Sequence, residues 1–516
     1  MHSTTCITRI LSRTPGNRLI LRRRPLLRRL LHARATEYLQ CNDPDLTESQ
    51  RLVRTSIAKI CANFPDEYWA KQEELKKFPT ELYDTLAKDG WLGICMPEQY
   101  GGSGLGIAEA AVMMQTISEC GGGMTAASSI HMNIFGLEPV AKFGTEEQKK
   151  RWLVPLIAGR ERACFGVTEP NTGLDTLKLQ SSATRDGDYY VLTGSKIWIS
   201  TAQNSQKILI LTRTTPLDQV KKPSQGLSLF YTDLTDAVEI TEIPKMGRAA
   251  VDTNTLFFDG WRVPARDLVG KESEGFKMIM HGMNAERILI GAEALGLGYA
   301  ALRRAAIYAS ERNVFGRPIG KNQAIQHPLA DSWMKLEAAR LMLYHAAKMY
   351  DQGYDSGEYA NAAKYLAAEA AFEACERAVM THGGMGYAKE YHVERYLREV
   401  FIPRIAPVSR EMICPGVFTN GMITRYKPLR LNLHKYARGA VHHSDVVGEA
   451  TDRPFDSQQY NAKERSQITS NSLAIMGRRQ GPPWLANRRL PSLLGLHAPP
   501  PFSPQQPPYG PPAPPS

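Results

Sequence analysis

Between Ala163 and Ser205 the chain gathers the residue types that a flat redox ring would need. Thr168, Glu169, Pro170, Gly173 and Asp175 make a polar turn punctuated by proline and glycine. Asp186-Gly187 gives a hairpin signal, and Trp198 is followed by hydroxyls at Ser200 and Thr201. Two strand ends would then present main-chain donors and hydroxyls beside an indole. A planar heteroaromatic group needs that combination, with one face to stack on and short hydrogen bonds at its heteroatoms. A hairpin with a tryptophan is more often plain core, so the weight of this stretch comes from the motifs that surround it.

The elements that must hold it change character along the chain. Thr47-x-x-Gln50 reads as a capping box ahead of Leu52, Val53, Ser56, Ile57, Ile60 and Phe64 at helical spacing. A second helix is predicted after Phe78-Pro79, ending at Gly90, and Thr145-x-x-Gln148 is another capping box. Gly90 to Gly106, GWLGICMPEQYGGSGLG, fits neither the phosphate-loop nor the dinucleotide pattern and reads as a tight loop between helices. From about Ala163 to Leu268 the runs YYVLT, KILILTR, GLSLFYTDL and TNTLFFDGWRV predict strands separated by turns. Long amphipathic helices return from about Gly275 to Met412. The expected fold class is α+β and multi-domain, with a helical domain at 37–160, a β domain at 161–273 and a helical bundle at 274–413.

Composition bounds the rest. A chain of 516 residues with 43% hydrophobic content can bury more than one core. No apolar run reaches the roughly 18 residues of a membrane span, so a soluble protein is expected. The net charge of +11 invites a nucleic-acid reading, but residues 1–36 hold nine Arg and no acidic residue, and without them the charge falls to +2. No nucleic-acid partner is expected. Eight scattered Cys, without a C-x-x-C, favour reduced thiols over a disulfide framework or a metal site.

Residues 1–36, rich in Arg with interspersed Leu and Ile, have the composition of a mitochondrial targeting segment; a basic arm without fixed structure has it too, and so would untranslated sequence. The expected compartment is the mitochondrial matrix, with cytosol or peroxisome as alternatives. Residues 414–516 read as a tail, and 482–516 hold 13 of the 33 prolines, a composition that predicts disorder.

TEPNTGLD followed by SKIWIS, then SERNVFGRPIGKNQ and THGGMGY, resembles the acyl-CoA dehydrogenase family in residue choice and in order. The resemblance runs from about Phe78 to about Ile413, and WLGI, a Pro, YGG and GL in the loop near Gly93 belong to it. It implies a three-domain fold, bound FAD, and α,β-dehydrogenation of an acyl-CoA, in which a base removes the α-proton while the β-hydrogen leaves as hydride to the flavin. An aqueous carboxylate is too weak a base for that proton, so the site must polarise the thioester and exclude solvent.

By the same resemblance Phe165, Val167, Thr168, Gly173, Trp198, Ile199 and Ser200 would hold the flavin ring. Arg312, Phe315 and Gln323 would reach the pyrophosphate and adenosine end from a neighbouring subunit, Arg312 through its planar fork. Gly383 and Gly384 would let the backbone approach the dinucleotide, and Ser409 and Glu411 fit further FAD positions. Where many relatives carry the catalytic Glu in Tyr-Glu-Gly-Thr, this chain has Pro407, which can neither take a proton nor donate an N–H. The isovaleryl and long-chain branches place that Glu on a helix before an Arg, and Asn284-Ala285-Glu286-Arg287 matches.

Glu286 is therefore the expected base, with Arg287 and Asn284 beside the substrate; the bland alternative is a helix carboxylate paired with Arg287. Leu174 replaces a Ser, would make the pocket more apolar and could raise the pKa of Glu286 by desolvation. Met380 replaces a Gln near the adenine end. The implied partners are an electron-transfer flavoprotein or another acceptor, and further copies of the chain as a homodimer or homotetramer. Two other functions fit the same residues: a flavoprotein oxidase acting on another acidic C–H compound such as a nitroalkane, and a flavin-binding protein without dehydrogenase activity.

Overall fold

The computed structural model describes residues 45–417; the calls for a targeting segment at 1–36 and for a disordered proline-rich tail lie outside them. Seven helices come first: α1 Glu48–Cys61, α2 Asp66–Leu75, α3 Thr80–Lys88, α4 Ile107–Ile117, α5 Gly123–Phe135, α6 Glu138–Phe143 and α7 Glu146–Ile157. Both capping boxes form, at Thr47 with Gln50 and at Thr145 with Gln148. Helix α2 was not expected, so the helix after Pro79 is the third. Its start follows Pro65 with Asp66 and Glu67 in the first turn, but only Trp69 and Gln72 are buried, which leaves little apolar periodicity to read.

The loop from Gly90 to Gly106 is a compact turn in which Ser103 N–H donates to Gly93 O and Leu105 N–H to Ile94 O. Its tightness depends on Gly102, where a Cβ would lie 2.1 Å from Met96 O.

The strands are β1 Ala163–Gly166, β2 Ser182–Asp186, β3 Tyr189–Ser200, β4 Lys207–Arg213, β5 Leu227–Asp233, β6 Val238–Glu242, β7 Thr253–Pro264 and β8 Leu268–Val269. Their order is β6-β7-β3-β2-β4-β5-β8, with β1 added to β4 in parallel. Strand β4 is buried along its whole length, as a run such as KILILTR requires when both faces are covered. The β2–β3 hairpin turns at Gly187, whose φ of 58° suits glycine.

The last third contains α8 Gly275–Glu311, the short strands β9 Asn313–Val314 and β10 Arg317–Pro318, α9 Gln323–Asp351, α10 Gly357–His382, α11 Val393–Glu399, α12 Ile402–Ile405 and α13 Arg410–Gly416. Helix α10 buries Ala360, Ala363, Ala367, Ala371, Ala374 and Ala378 at spacings of three and four, a stripe of small side chains on which α8 packs closely. At Gly298 of α8 a Cβ would come within 3.0 Å of the Ala371 Cα. The axis of α8 is therefore fixed against α10 on one side and against α4 and α5 on the other.

Helix α5 starts after a π-type turn, Ser118–Gly122, in which Gly121 has a φ of 108°. Its first N–H groups face the buried Glu399 of α11: Thr125 donates its N–H at 3.2 Å and its hydroxyl at 2.7 Å. A carboxylate at a helix N-terminus is stabilised by the unpaired N–H groups there. Glu399 therefore anchors the start of α5.

Candidate active site

The polar turn and the tryptophan meet as expected. Ile197 N–H donates to Thr168 O at 2.9 Å, so the strand carrying Trp198 lies against the turn. The register of β3 against β7 shifts between Lys196 and Ile199, and Trp198 takes a φ of 63°. This irregularity turns the indole outward, leaving it 58% exposed for stacking. Thr168, Phe165, Val167 and Ser200 are half-buried around it, and Gly173 is exposed on the turn. Ile199 faces the other way, into the core of the sheet, so only its backbone is available to a ligand, and its carbonyl already accepts from Asn254.

Beneath the turn lies a buried ion pair that the sequence reading did not single out. The ammonium of Lys196 donates to Glu169 Oε1 at 2.8 Å, to Leu211 O at 2.7 Å and to Val167 O at 3.2 Å. The carboxylate of Glu169 also accepts from the N–H groups of Gln180 and Ser181. Burial pulls Lys196 down to about 8 against the attraction of Glu169. Burial opposes ionisation of Glu169 as well, but Lys196 and those donors outweigh it and hold its pKa below the usual carboxylate value. The turn is stapled to β3 and β4 at once.

Arg312, Phe315 and Gln323 are exposed on and beside the β9–β10 hairpin, Phe315 completely. No hydrogen bond between described residues links them to the Trp198 rim. Gly383 has a φ of 60°, and a Cβ on it or on Gly384 would meet no atom within 4 Å. His382 is a satisfied core histidine, stacked on Tyr308 at 4.3 Å with Nδ1 on Ala378 O at 2.7 Å. Ser409 precedes α13 without capping it through its side chain, and Glu411 is exposed. Met380 is exposed too, next to the open glycines.

Glu286 is buried on α8, 4% exposed, and does not pair with Arg287. The Arg287 guanidinium donates instead to Asn284 Oδ1 at 2.9 Å, and its Nε has no partner. Glu286 Oε1 lies 3.4 Å from His131 Nε2, and Glu286 Oε2 is buried without a partner. The other nitrogen of His131, Nδ1, is held by Glu293, two turns along α8. Behind Glu286 lies the buried Lys364 of α10, whose ammonium donates to Val408 O at 2.6 Å, one residue after Pro407. Burial lowers Lys364 to about 8, against the pull of Glu286. Leu174 is 47% exposed on the turn, so it does not form the desolvating wall expected of it. The charged groups facing Glu286 are His131 and Lys364.

Burial disfavours the imidazolium of His131, but Glu293 and Glu286 overcome that and lift its pKa to about 10. A pKa above the unfolded value of 6.5 means that these pairs stabilise the fold fully below that pH, and that the contribution is lost as pH rises through about 10. Melting temperature should therefore fall across this window, and fall less in His131→Gln. Parallel pH slopes for the two proteins, measured by thermal melts, would contradict the assignment.

One turn from Glu286 and from His131 lies an apolar recess lined by Phe135, Pro139, Phe165, Ile279, Gly282 and Met283. Phe135 joins the two regions, its ring 4.7 Å from His131 and 5.7 Å from Phe165. The recess thus joins the strand leading into the polar turn to the helix that carries Glu286, whose own side chain is not part of its lining. The open indole, the open glycines and the half-buried hydroxyls fit a flavin dinucleotide. Fold and site together define a flavoprotein that removes hydrogen from an activated carbon.

Three family models, described as the N-terminal, middle and C-terminal domains of acyl-CoA dehydrogenase, match residues 47–160, 164–261 and 273–413. The acyl-CoA dehydrogenase FadE12 of Mycobacterium tuberculosis is 36% identical over 374 residues, 71% of this chain and 94% of that protein. Mitochondrial isobutyryl-CoA dehydrogenase of Dictyostelium discoideum is 34% identical over 363 residues, 70% of this chain and 86% of that protein. Butyryl-CoA dehydrogenase of Megasphaera elsdenii superimposes with a TM-score of 0.67 at 31% identity, covering 72% of this chain and 98% of that one. The chain belongs to the acyl-CoA dehydrogenase family, and its activity is the FAD-dependent dehydrogenation of acyl-CoA.

Proposed function

We propose that Glu286 is the base that removes the α-proton of an acyl-CoA whose acyl group enters by parting the tightly closed recess between Phe135, Phe165 and Met283. The observation that carries this reading is Glu286 Oε2, a buried carboxylate oxygen with no partner, about one helical turn from residues that line an apolar recess. A carboxylate shielded from water is the stronger base, and one oxygen must remain unpaired to receive a proton. Bound FAD supplies the acceptor for the β-hydrogen. The open face of Trp198, with Thr168 and Ser200 beside it, positions that acceptor, and Phe135 and Phe165 exclude water from the reacting carbon. Pro407 leaves the other familiar place for a base without a proton acceptor.

The aromatic walls favour a short or branched acyl group, in keeping with the names of the isobutyryl- and butyryl-CoA relatives. Arg312, Phe315 and Gln323, all exposed, suit completion of the FAD site by a second copy in a dimer or tetramer. The acceptor of electrons in this reading is an electron-transfer flavoprotein. A place in mitochondrial fatty-acid or branched-acyl oxidation is supported by the arginine-rich composition of residues 1–36.

The test is anaerobic mixing of the yellow protein with butyryl-, isobutyryl-, octanoyl- and palmitoyl-CoA and with nitroethane, following loss of flavin absorbance. Fastest bleaching by the four-carbon thioesters is expected. Bleaching by nitroethane alone would replace the reading with an oxidase of the same fold, and a flavin inert to all five with a binding protein.

A further inference from the structure

Glu286 and Glu293 lie seven residues apart on one face of α8, a rise of about 10 Å, and a single imidazole from α5 reaches both. We propose that His131, clamped by Glu293, is the positioning residue that aims the Glu286 carboxylate for proton abstraction. The inference rests on Glu286 being the base. It concerns what surrounds that base, which neither the motifs nor the relatives' names indicate.

Two features carry it. First, the contacts are divided: His131 engages Oε1 of Glu286, so Oε2 is the oxygen left without a partner. Second, α5 is itself anchored, because Glu399 holds Thr125 at its start and Phe135 at its end packs on Phe165. The imidazole therefore enters from a fixed direction, and its ring orientation is set by the carboxylate on its far nitrogen, the arrangement by which an acid commonly orients a working histidine. When the α C–H bond breaks, its proton goes to Glu286 Oε2 and its electron pair becomes the new double bond as the β-hydrogen leaves with its own pair. The cluster of two carboxylates and one imidazolium then passes from one net negative charge to none, without a proton leaving the interior.

Other charged groups face this cluster. Arg287 adjoins Glu286 on α8, Lys364 faces it from α10, and Arg248, from the segment between β6 and β7, is hydrogen-bonded to Ser128 of α5 and attracted by Glu293. None of the three is hydrogen-bonded to His131 or to either carboxylate, so the imidazolium is the contact partner of both.

The experiment uses the FAD-loaded full chain with butyryl-CoA and isobutyryl-CoA as probes. The rate of anaerobic bleaching is measured against pH for wild type, His131→Gln and Glu293→Gln. Without the imidazolium, two buried carboxylates compete to remain ionised, so the acidic limb should move up by at least about one pH unit in His131→Gln. In Glu293→Gln the imidazolium serves Glu286 alone, and the limb should stay or move down. Exchange of the His131 C2 hydrogen, followed by mass spectrometry, gives a second readout independent of turnover. Its midpoint should lie near pH 10 in wild type and fall by at least about one unit in Glu293→Gln.

An acidic limb that stays in place in His131→Gln while the protein merely melts earlier would overturn the clamp and leave the base in place. Should His131→Gln not fold, an unshifted C2 midpoint in Glu293→Gln would overturn the clamp. Rapid bleaching of Glu286→Gln would remove the base assignment, and the clamp with it.

Discussion

Glu286→Gln is expected to slow anaerobic flavin reduction by its best acyl-CoA by about a hundred- to ten-thousand-fold, the usual contribution of a positioned general base. The amide oxygen can still accept from His131, and the side chain keeps its volume, so the recess and the yellow colour should survive. That separates chemistry from folding. A structural carboxylate would give the opposite pattern, a lower melting temperature with the rate retained. Stopped-flow bleaching and a thermal melt of the same preparation decide between them.

Lys196→Met is expected to produce the largest loss of stability among single changes near the flavin rim, on the order of 3–5 kcal/mol, because it leaves Glu169 buried without its cation. Burial of Lys196 is complete and three acceptors surround its ammonium; the nearby Arg213, attracted by Glu169, spends its guanidinium on the Leu177, Leu179 and Gln225 carbonyls. The turn from Thr168 to Asp175 would lose its attachment to β4, and FAD should be lost on gel filtration. The double variant Lys196→Met with Glu169→Gln should recover part of that loss, since the uncompensated charge is gone. A single variant costing under about 1 kcal/mol in denaturant unfolding would show that the pair is dispensable.

The strand-turn-strand core of the site was legible in the sequence because its signals are local. Asp186-Gly187 marks a hairpin by glycine's access to positive φ, and TEP and WIS come together through neighbouring strands. The capping boxes were legible for the same reason, since their partners lie three residues apart.

His131 and Glu293 were not legible. Each is a lone polar residue in an apolar helix, in AASSIHMNIF and ILIGAEALGLG, and their meeting depends on how α5 packs against α8. One signal was available: a carboxylate in a helix face otherwise apolar, seven residues after another, has to find a partner if buried. Lys196 was hidden in the same way, within a strand whose alternation places it inward among Leu and Ile. Leu174 shows the converse error, in which hydrophobic character was taken for burial although the polar turn leaves the side chain half in solvent.

The outward hairpin bearing Arg312 and Phe315 has a genetic corollary. If each chain lends that hairpin to a neighbour's dinucleotide, two damaged alleles, one altered at Glu286 and one at Arg312, could heal each other in a mixed assembly. A pocket inheriting the intact half of each parent would work, while each parent alone stayed silent.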